Sequence, residues 1–503
     1  MSTTRPQPRT IRRELDLSPD ELVRRIGVMR EPALLESGPG FGEDGRYSVF
    51  AAEPRLILQA TGRDWTLRGV EAGIPNRSGR GDPLETLQSL LNEYRLADPA
   101  DRFQPDPEDP RFLGGMIGYI GYDLAPLLER LPRKAPRDTN LPDLRFALYD
   151  TFVTVDRSRD RAILHHVDFF HEGSRLSNDR LNKWTKTLTF EDQKDESRDR
   201  NLNLAGSLES NFDRDSYVKA VERALDYIRA GDVFQVNLAQ RFRLRGRVAD
   251  PAALYERLRR ASAAPYSAFL SFDGCAIASA SPELFYKTSG GIVTTRPIKG
   301  TRPRGGDAES DRRLAEELAQ SAKDRAELTM IVDLERNDLG RVCEYGSVRV
   351  VDPTSIKTFS NVHHLVATIA GRLRPNATAI DLARAMFPGG SITGAPKIRS
   401  MEIIDEIEPC RRGVYTGMIG YFGRGGESAF NIAIRTLVVE PDSVCYHVGG
   451  GIVADSDPAA EYDETLAKGR DLARTLERTP ERTPVRTPAQ SPERTPEREE
   501  NSE

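Results

Sequence analysis

The sequence predicts an α+β protein whose strands form antiparallel sheets. Many short segments have the alternating or β-branched pattern of strands and end at Gly or Pro. Amphipathic helical patterns lie between some of them. No regular strand–helix–strand repeat, the mark of a parallel sheet, is present. With 503 residues, the chain is long enough for a large two-layer domain or for more than one domain.

The first predicted region covers residues 11–155. Strand patterns occur at 57–70 and 144–156, with an amphipathic helix pattern at 84–96 between them. A connecting segment follows at 156–211. Its polar, charge-rich stretch from about residue 172 predicts a surface helix and then a loose linker.

The second predicted region, residues 212–473, has a denser pattern. It begins with a helix that Gly231 can end, and the apolar face of this helix comprises Tyr217, Val221, Ala224, Leu225 and Ile228. Strand patterns follow at 234–244, 267–272, 275–281, 291–298, 415–423, 430–439 and 445–453.

The last segment, residues 474–503, repeats Arg-Thr-Pro four times with glutamates between. Proline at this frequency prevents a helix, and too few apolar side chains are present to offset the entropy of ordering. We therefore predict a disordered tail.

Composition excludes several classes of protein. A net charge of −5 and a pI near 5.9 argue against a nucleic-acid partner. No apolar run approaches the length of a membrane span, and the basic N-terminus lacks the apolar stretch of a secretory signal. The four cysteines form no Cys-x-x-Cys pair, so we expect buried free thiols in a cytoplasmic protein.

The segment 297–305, PIKGTRPRG, places one lysine, Lys299, in a turn-rich stretch. A lysine amine is nucleophilic only when deprotonated, and burial or a cationic neighbour lowers its pKa toward that state. Arg296, Arg302 and Arg304 are candidates for that neighbour. By itself this pattern is more typical of a solvated turn.

Glu461, Glu464 and Lys468 are spaced i, i+3 and i+7 after a glycine-rich turn, so one helix face presents two carboxylates and an ammonium. A surface salt-bridge face is one reading of this pattern. The other is a site for Mg²⁺, which takes one or two carboxylates and leaves positions for a substrate. Glu327, on a predicted helix, is uninformative by itself.

Residues 387–397, FPGGSITGAPK, place three glycines, a serine and a threonine before a helix. Free N–H groups and the helix dipole favour a bound anion there. The spacing does not match a P-loop. We therefore expect a carboxylate-rich small molecule rather than a nucleotide.

Four longer blocks, FPGGSITGAPKIRSMEIIDEIEP, RRGVYTGMIGYF, NIAIRT and GGGIVADSDPAAEYDET, resemble the signatures of the chorismate-utilising enzymes. The resemblance covers about 212–470. Residues 11–155, including LLES and GRYSVFAAEPR, resemble the N-terminal region of the amine-adding members only. The resemblance implies a large β-sandwich of antiparallel sheets with flanking helices.

The resemblance also implies roles for individual residues. Mg²⁺ would bind the ring carboxylate of chorismate, held by Glu327 and Glu461 with Glu464 close by. Lys299 would add at ring C2, and Glu283 would protonate the departing C4 hydroxyl. The positions that match substrate-binding residues are Gln235, Thr301, His364, Ser391, Tyr415, Arg435, Gly449 and Lys468.

Residue 299 bears on the product. Members that form 4-amino-4-deoxychorismate for p-aminobenzoate and folate synthesis carry Lys there, whereas anthranilate-forming members of tryptophan synthesis usually carry Ala. Lys299 favours the first reaction, with the second as the alternative. Gln235 replaces the lysine base of water-using members. A catalytically silent relative is a third reading, which the intact candidate set disfavours.

The source of ammonia is expected to lie outside this chain. A glutaminase of the usual class needs a cysteine in a Gly-x-Cys-x-Gly elbow, and none of the four cysteines has that context. The resemblance therefore implies a separate glutamine amidotransferase subunit, or free ammonia.

Overall fold

The structure is a computed structural model that describes residues 9–38, 40–70, 74–94, 112–190, 202–204, 206–359 and 362–477. Within these residues two antiparallel sheets and ten α-helices form the fold. The predicted fold class is confirmed. The predicted tail lies outside the described residues from 478 onward, and so does most of the predicted linker.

The first sheet contains thirteen described strands. Their bounds are β1 Thr10–Leu15, β2 Ala33–Glu36, β3 Tyr47–Ala51, β9 Thr151–Asp156, β10 Arg161–Val167, β11 Leu202–Leu204, β12 Glu209–Ser210, β13 Gln235–Val248, β14 Tyr266–Phe272, β15 Cys275–Ser281, β21 Gly394–Ala395, β24 Thr436–Glu440 and β25 Ser443–Ile452. The strand order is β1-β10-β9-β3-β2-β14-β15-β24-β25-β13-β11, and β12 and β21 also pair with β13.

The second sheet contains twelve described strands. Their bounds are β4 Leu56–Thr61, β5 Asp64–Gly69, β6 Arg77–Arg80, β7 Gly115–Ile120, β8 Leu144–Tyr149, β16 Leu284–Ser289, β17 Ile292–Arg296, β18 Ile298–Pro303, β19 Arg349–Thr358, β20 Val362–Arg372, β22 Met418–Gly423 and β23 Ser428–Ile432. The order is β18-β20-β17-β16-β23-β22-β7-β8-β4-β5-β6, and β19 also pairs with β20.

The helices begin at side chains that cap them. Ser18 and Asp213 form capping boxes at the first and fourth helices, and Asp457 caps the tenth. The helices are α1 Pro19–Ile26, α2 Pro83–Glu93, α3 Ser174–Thr189, α4 Arg214–Arg229, α5 Pro251–Ala261, α6 Ala308–Gln320, α7 Ala322–Gly340, α8 Ala379–Met386, α9 Lys397–Ile407 and α10 Pro458–Leu476.

Three apolar layers hold these elements together. The largest core lies between the two sheets and includes Val49 of the first sheet and Met116 of the second. A second core packs α1, α3, α5 and α10 on the outer face of the first sheet. A third joins α4 and α9 to β13 and β25. This is the sandwich with flanking helices that the sequence predicts.

Strands from the two predicted regions are neighbours in both sheets. β2 pairs with β14 in the first sheet, and β7 pairs with β22 in the second. The helix α10 extends through Leu476, three residues into the predicted tail.

Two predicted strand segments cross from one sheet to the other. The segment 144–156 divides at Asp150 into β8 and β9, and 430–439 divides into β23 and β24 around Arg435, whose φ is 50°. A positive φ is unfavourable for a residue with a side chain, so the sheet crossing imposes strain at Arg435.

Candidate functional site

Lys299 lies on β18, at the end of the second sheet, where β18 pairs with β20. The register shifts between Lys299 and Thr301, and the intervening Gly300 has a φ of 72°. A Cβ at Gly300 would also approach a side-chain atom of Leu318 to 2.7 Å. The prediction of a turn is therefore wrong, because the segment is an edge strand. The strand has a bulge at Gly300, and glycine is the residue that adopts this conformation easily.

Acidic groups surround the Lys299 amine. Burial lowers the pKa of Lys299, although the charges of Glu327 and Glu283 act in the opposite direction, and Lys468 adds to the lowering. No ion pair fixes the Lys299 ammonium within the described part of the chain. The geometry thus favours a larger neutral amine fraction than an exposed lysine would have.

The three arginines suggested as cationic neighbours do not fill that role. Each is paired with a carboxylate: Arg296 with Asp44, Arg302 with Glu317, and Arg304 with Asp311. A paired guanidinium is neutralised locally, so it exerts little effect on a third group. The cation that lowers the Lys299 pKa is Lys468, on α10.

Glu283 lies just before β16 and is 4% exposed. Its Oε1 accepts a hydrogen bond of 2.7 Å from Ser391 Oγ. Burial raises the pKa of Glu283 to about 7, although the bonds from Ser391 and the Ile298 backbone and the charge of Lys299 lower it. A carboxyl group with this pKa can donate a proton near neutral pH.

The helix α10 carries Glu461, Glu464 and Lys468 on one face, as the spacing predicts. An added Cβ at Gly450 of β25 would lie 3.0 Å from Glu461 Oε2, 3.8 Å from Lys468 Nζ and 3.9 Å from Glu464 Oε1. The three side chains therefore converge over one glycine. Lys468 Nζ also donates to the carbonyl of Gly449 across 3.1 Å.

The two glutamates of α10 differ in protonation tendency. Burial raises the pKa of Glu461, and the charge of Glu464 adds to this effect. Burial would also raise the pKa of Glu464, but its 2.6 Å ion pair with Lys468 lowers it overall. These two neighbouring carboxylates, one buried and one about half exposed, repel one another and fit a divalent cation, which would stabilise both in the charged form.

The carboxylates do not by themselves form a complete metal site. Among the residues described, no group of three or more His, Cys, Asp or Glu side chains could hold a metal ion. Mg²⁺ commonly takes only one or two protein carboxylates, with waters and substrate oxygens in the remaining positions. Glu461 and Glu464 fit that arrangement as candidates, and the place of Glu327 beside them stays a prediction.

Arg435 and His364 provide a cationic and a neutral donor. Arg435 forms no ion pair with another described side chain, and burial lowers its pKa despite the charge of Asp471. His364 Nδ1 lies 2.9 Å from Thr301 Oγ1, while its Nε2 is buried without a partner. Burial and the charge of Arg435 lower the His364 pKa to about 3, so the ring is neutral.

Gln235 begins β13 of the first sheet, and Tyr415 contacts β25 of the same sheet. Gln235 is fully buried, and its Nε2 donates to Asn237 Oδ1 across 3.0 Å, whereas its Oε1 has no hydrogen-bond partner. A Cβ on Gly451 would meet Gln235 Nε2 at 2.5 Å. The Tyr415 ring stacks on His447 with centroids 5.0 Å apart.

The predicted anion cradle at 387–397 consists of a single 3₁₀ turn, Gly390–Ile392, and the short strand β21 before α9. Its Ser391 side chain is directed to Glu283. Lys397 pairs with Asp338 across 2.6 Å, so this lysine is not available to an anion. Anion binding by the backbone of this segment stays a prediction.

Sequence reasoning missed a group of buried ionisable side chains outside the predicted site. Glu335 and Asp338 of α7 are 2% and 3% exposed, and Lys397 bridges from α9 to Asp338. Arg412 and Glu408 form a second buried ion pair, at 2.6 Å. Acidic residues within the apolar stretch of α7 were the available signal, but their partners lie far away in sequence, 40 residues for Glu335 and 59 for Asp338.

Comparisons with known proteins show the family to which this chain belongs. Residues 53–474 match the family model described as chorismate binding enzyme, and the chain belongs to that family. It is an enzyme that acts on chorismate. No helix of the described residues is long and apolar enough to cross a lipid bilayer.

Similar proteins carry two names. The chain is 42% identical over 435 residues to aminodeoxychorismate synthase component 1 of Klebsiella aerogenes, covering 86% of this chain and 91% of the relative. It is 36% identical to anthranilate synthase component 1 of Cereibacter sphaeroides, with 92% of each covered. The crystal structure of anthranilate synthase component I from Streptococcus pneumoniae superposes with a TM-score of 0.73 at 32% identity, over 88% of this chain and 94% of that one.

Proposed function

We propose that this enzyme converts chorismate and ammonia to 4-amino-4-deoxychorismate, the precursor of p-aminobenzoate in folate synthesis. The observation that carries the proposal is Lys299, a lysine with a lowered pKa beside the raised-pKa acid Glu283. Proteins named aminodeoxychorismate synthase component 1 are among the similar proteins, at 40–42% identity. Anthranilate formation is the alternative, since relatives named anthranilate synthase component 1 are 36–42% identical.

The first chemical step joins Lys299 to the substrate. Its neutral Nζ adds to ring C2 of chorismate, the two ring double bonds shift, and the C4–oxygen bond breaks. Glu283 supplies the proton with which the hydroxyl leaves as water. Hydroxide is a poor leaving group, so a positioned acid contributes roughly 10²–10⁴-fold to the rate.

The second step replaces the lysine by nitrogen. Ammonia adds at C4, the double bonds shift back, and the C2–Nζ bond breaks to release Lys299 as a neutral amine. The ionised Glu283 takes the excess proton from the new C4 ammonium group. The sum is chorismate plus ammonia giving aminodeoxychorismate plus water, with both side chains restored.

Binding groups hold the two carboxylates of chorismate. Arg435 can form a bidentate pair with one of them, and Lys468 and the neutral His364 are further candidates for binding them. Glu327, Glu461 and Glu464 would hold Mg²⁺, which would neutralise and orient the ring carboxylate. Gln235 cannot deprotonate water, but its free Oε1 can accept a hydrogen bond from ammonia.

The partner is a glutamine amidotransferase subunit, the second component that the word "component" in the relatives' names suggests. A glutaminase elbow is missing from the sequence, and this supports an external ammonia source. The four cysteines are free and buried, which suits the reducing cytoplasm.

The product tests the proposal. The purified chain is incubated with chorismate, Mg²⁺ and ammonium at alkaline pH, with and without an aminodeoxychorismate lyase, and the products are separated by chromatography. We expect p-aminobenzoate only when the lyase is present. Anthranilate without lyase would overturn the proposal and assign the chain to tryptophan synthesis.

A further inference from the structure

The hydroxyl group of Thr295, on β17, contacts two oxygen atoms. Its side chain is fully buried, and its Oγ1 lies 2.6 Å from the carbonyl oxygen of Phe285 and 2.7 Å from Glu335 Oε2. A threonine hydroxyl has one hydrogen to donate, and a backbone carbonyl can only accept. If the Thr295 hydrogen goes to Phe285, both contacts are satisfied only when Glu335 carries a proton and donates it to Thr295 Oγ1.

The Phe285 carbonyl needs this partner because of its position. β16 pairs with β17 at Leu284 and again from Lys287 onward, and the register shifts between these two points, where Phe285 lies. The pairing of β16 with β23 shifts at the same place. A carbonyl group at such a bulge lies outside the regular ladder, so a side-chain donor is its natural partner.

The chain Glu335–Thr295–Phe285 connects three elements that carry, or adjoin in sequence, candidate site residues. Phe285 follows Glu283 by two residues, on the same strand entry. Thr295 precedes Lys299 by four residues. Glu335 lies two helical turns after Glu327 on α7. One chain of hydrogen bonds therefore links three segments that lie next in sequence to the acid, the nucleophile and a candidate metal ligand.

The charged groups around Glu335 favour the protonated form. Burial raises its pKa to about 8, and the charges of Glu283 and Asp338 add to this effect, whereas the Thr295 hydrogen bond and Lys397 oppose it. Lys397 is already bound to Asp338, at 2.6 Å. No cation forms an ion pair with Glu335 in the described structure, so nothing nearby fully compensates a negative charge.

We propose that Glu335 is a positioning residue that acts as a neutral carboxylic acid, donating to Thr295 and thereby fixing the spacing of Glu283, Lys299 and Glu327. The inference rests on the proposed function only for its activity readout. That readout is the consumption of chorismate, which registers turnover whichever product forms.

Two substitutions separate hydrogen bonding from packing. Glu335→Gln keeps the shape and an N–H donor, so we expect kcat within about threefold of wild type. Glu335→Leu has a similar volume but no hydrogen-bond donor. We expect kcat to fall about 10- to 100-fold, because a displacement of reacting groups by about 1 Å can reduce the rate that much. KM for chorismate should change less than kcat. Asp333→Asn, an exposed acid on the same helix, is the matched control.

Infrared spectroscopy tests the protonation state without catalysis. The difference spectrum of wild type minus Glu335→Gln at neutral pH should contain the C=O stretch of a protonated carboxylic acid, which the Asp333→Asn difference spectrum should lack. A carboxylate band in its place would overturn the proposal.

Kinetics give the second decisive result. Equal kcat in the Gln and Leu variants, with both folded by circular dichroism, would also overturn the proposal, because the donor would then have no role. If the Leu variant does not fold, Thr295→Val takes its place, since it removes the hydroxyl group in the middle of the same bridge.

Discussion

Ser391 donates a hydrogen bond of 2.7 Å to Glu283 across 108 residues of sequence. This bond lowers the pKa of Glu283, while burial raises it to a net value of about 7. The pKa of Glu283 is thus held close to the pH at which this carboxyl group must donate a proton and accept it again. Ser391, from the 3₁₀ turn before α9, therefore adjusts the pKa of a group that lies just before β16.

Removal of the acid should slow turnover without abolishing binding. For Glu283→Gln we expect kcat to fall roughly 10²–10⁴-fold, with KM for chorismate nearly unchanged.

Ser391→Ala removes a stabiliser of the ionised form, so the pKa of Glu283 should rise. The falling limb of the pH–rate profile, measured at a fixed concentration of free ammonia, should then move to higher pH. A limb that moves to lower pH in Ser391→Ala would contradict this assignment.

Replacement of the nucleophile should change the reaction itself. In Lys299→Ala we expect formation of aminodeoxychorismate to fall on the order of 10³-fold, because the covalent route is lost, with residual product diverted toward anthranilate. Lys219→Ala, on the exposed face of α4, is the control and should behave as wild type. Chromatography of both products gives the comparison, and a wild-type rate in Lys299→Ala would exclude the nucleophilic role.

Magnesium activation should depend on the convergent face of α10. We expect a chelator to abolish turnover and added Mg²⁺ to restore it. Glu461→Gln should raise the Mg²⁺ concentration for half-maximal rate by about tenfold or more, because one ligand charge is lost. Asp463→Asn, on the same helix but paired with Arg214 away from the site, should leave the Mg²⁺ curve in place. An unchanged curve in Glu461→Gln would remove this residue from the metal site.

Arg435 should contribute binding energy rather than chemistry. A charge-assisted bidentate pair lost on truncation costs about 3 kcal/mol, so Arg435→Ala should raise KM for chorismate roughly 10²-fold. Comparison with Arg435→Gly would distinguish the effect of losing the side chain from the effect of the backbone strain at φ 50°. Both variants lose the guanidinium, but only glycine relieves the strain. If the Gly variant unfolds at a higher temperature than the Ala variant while both have the same raised KM, the two effects are independent.

Stability should fall as pH rises through the neutral range. Glu335 has a pKa of about 8 in the folded state against an ordinary value of 4.5, so between these values the folded chain binds more protons than the unfolded chain. Stability therefore decreases with pH, by up to about 1.4 kcal/mol per pH unit for one such group. Glu335→Gln should flatten this dependence in thermal unfolding between pH 5 and 8. An equal slope in both proteins would contradict it.

The sequence predicts the fold class and most elements, but not where the chain changes sheets. The segments 144–156 and 430–439 are almost continuously buried, so neither shows the alternation that separates one strand from the next. The breaks at Asp150 and Arg435 follow from tertiary packing. The charged neighbours of Lys299 were also not predictable from nearby sequence. The three arginines close to Lys299 in sequence are paired with other carboxylates, whereas Lys468, which lowers its pKa, lies 169 residues later in the chain.

The candidate site was predictable where its residues share one element. The i, i+3, i+7 spacing of Glu461, Glu464 and Lys468 is a local property of a helix and holds in the structure. The bond from Ser391 to Glu283 and the chain from Glu335 through Thr295 join distant segments. No spacing rule in one sequence reveals such contacts.

The covalent step is the central claim, and mass spectrometry tests it most directly. The enzyme is mixed with chorismate and Mg²⁺ without ammonia, quenched rapidly and digested, with Lys299→Ala treated in parallel. We predict a peptide containing Lys299 whose mass is increased by chorismate less water, and no such adduct in the variant. An unmodified Lys299 peptide, from enzyme shown to turn over on addition of ammonia, would contradict the account.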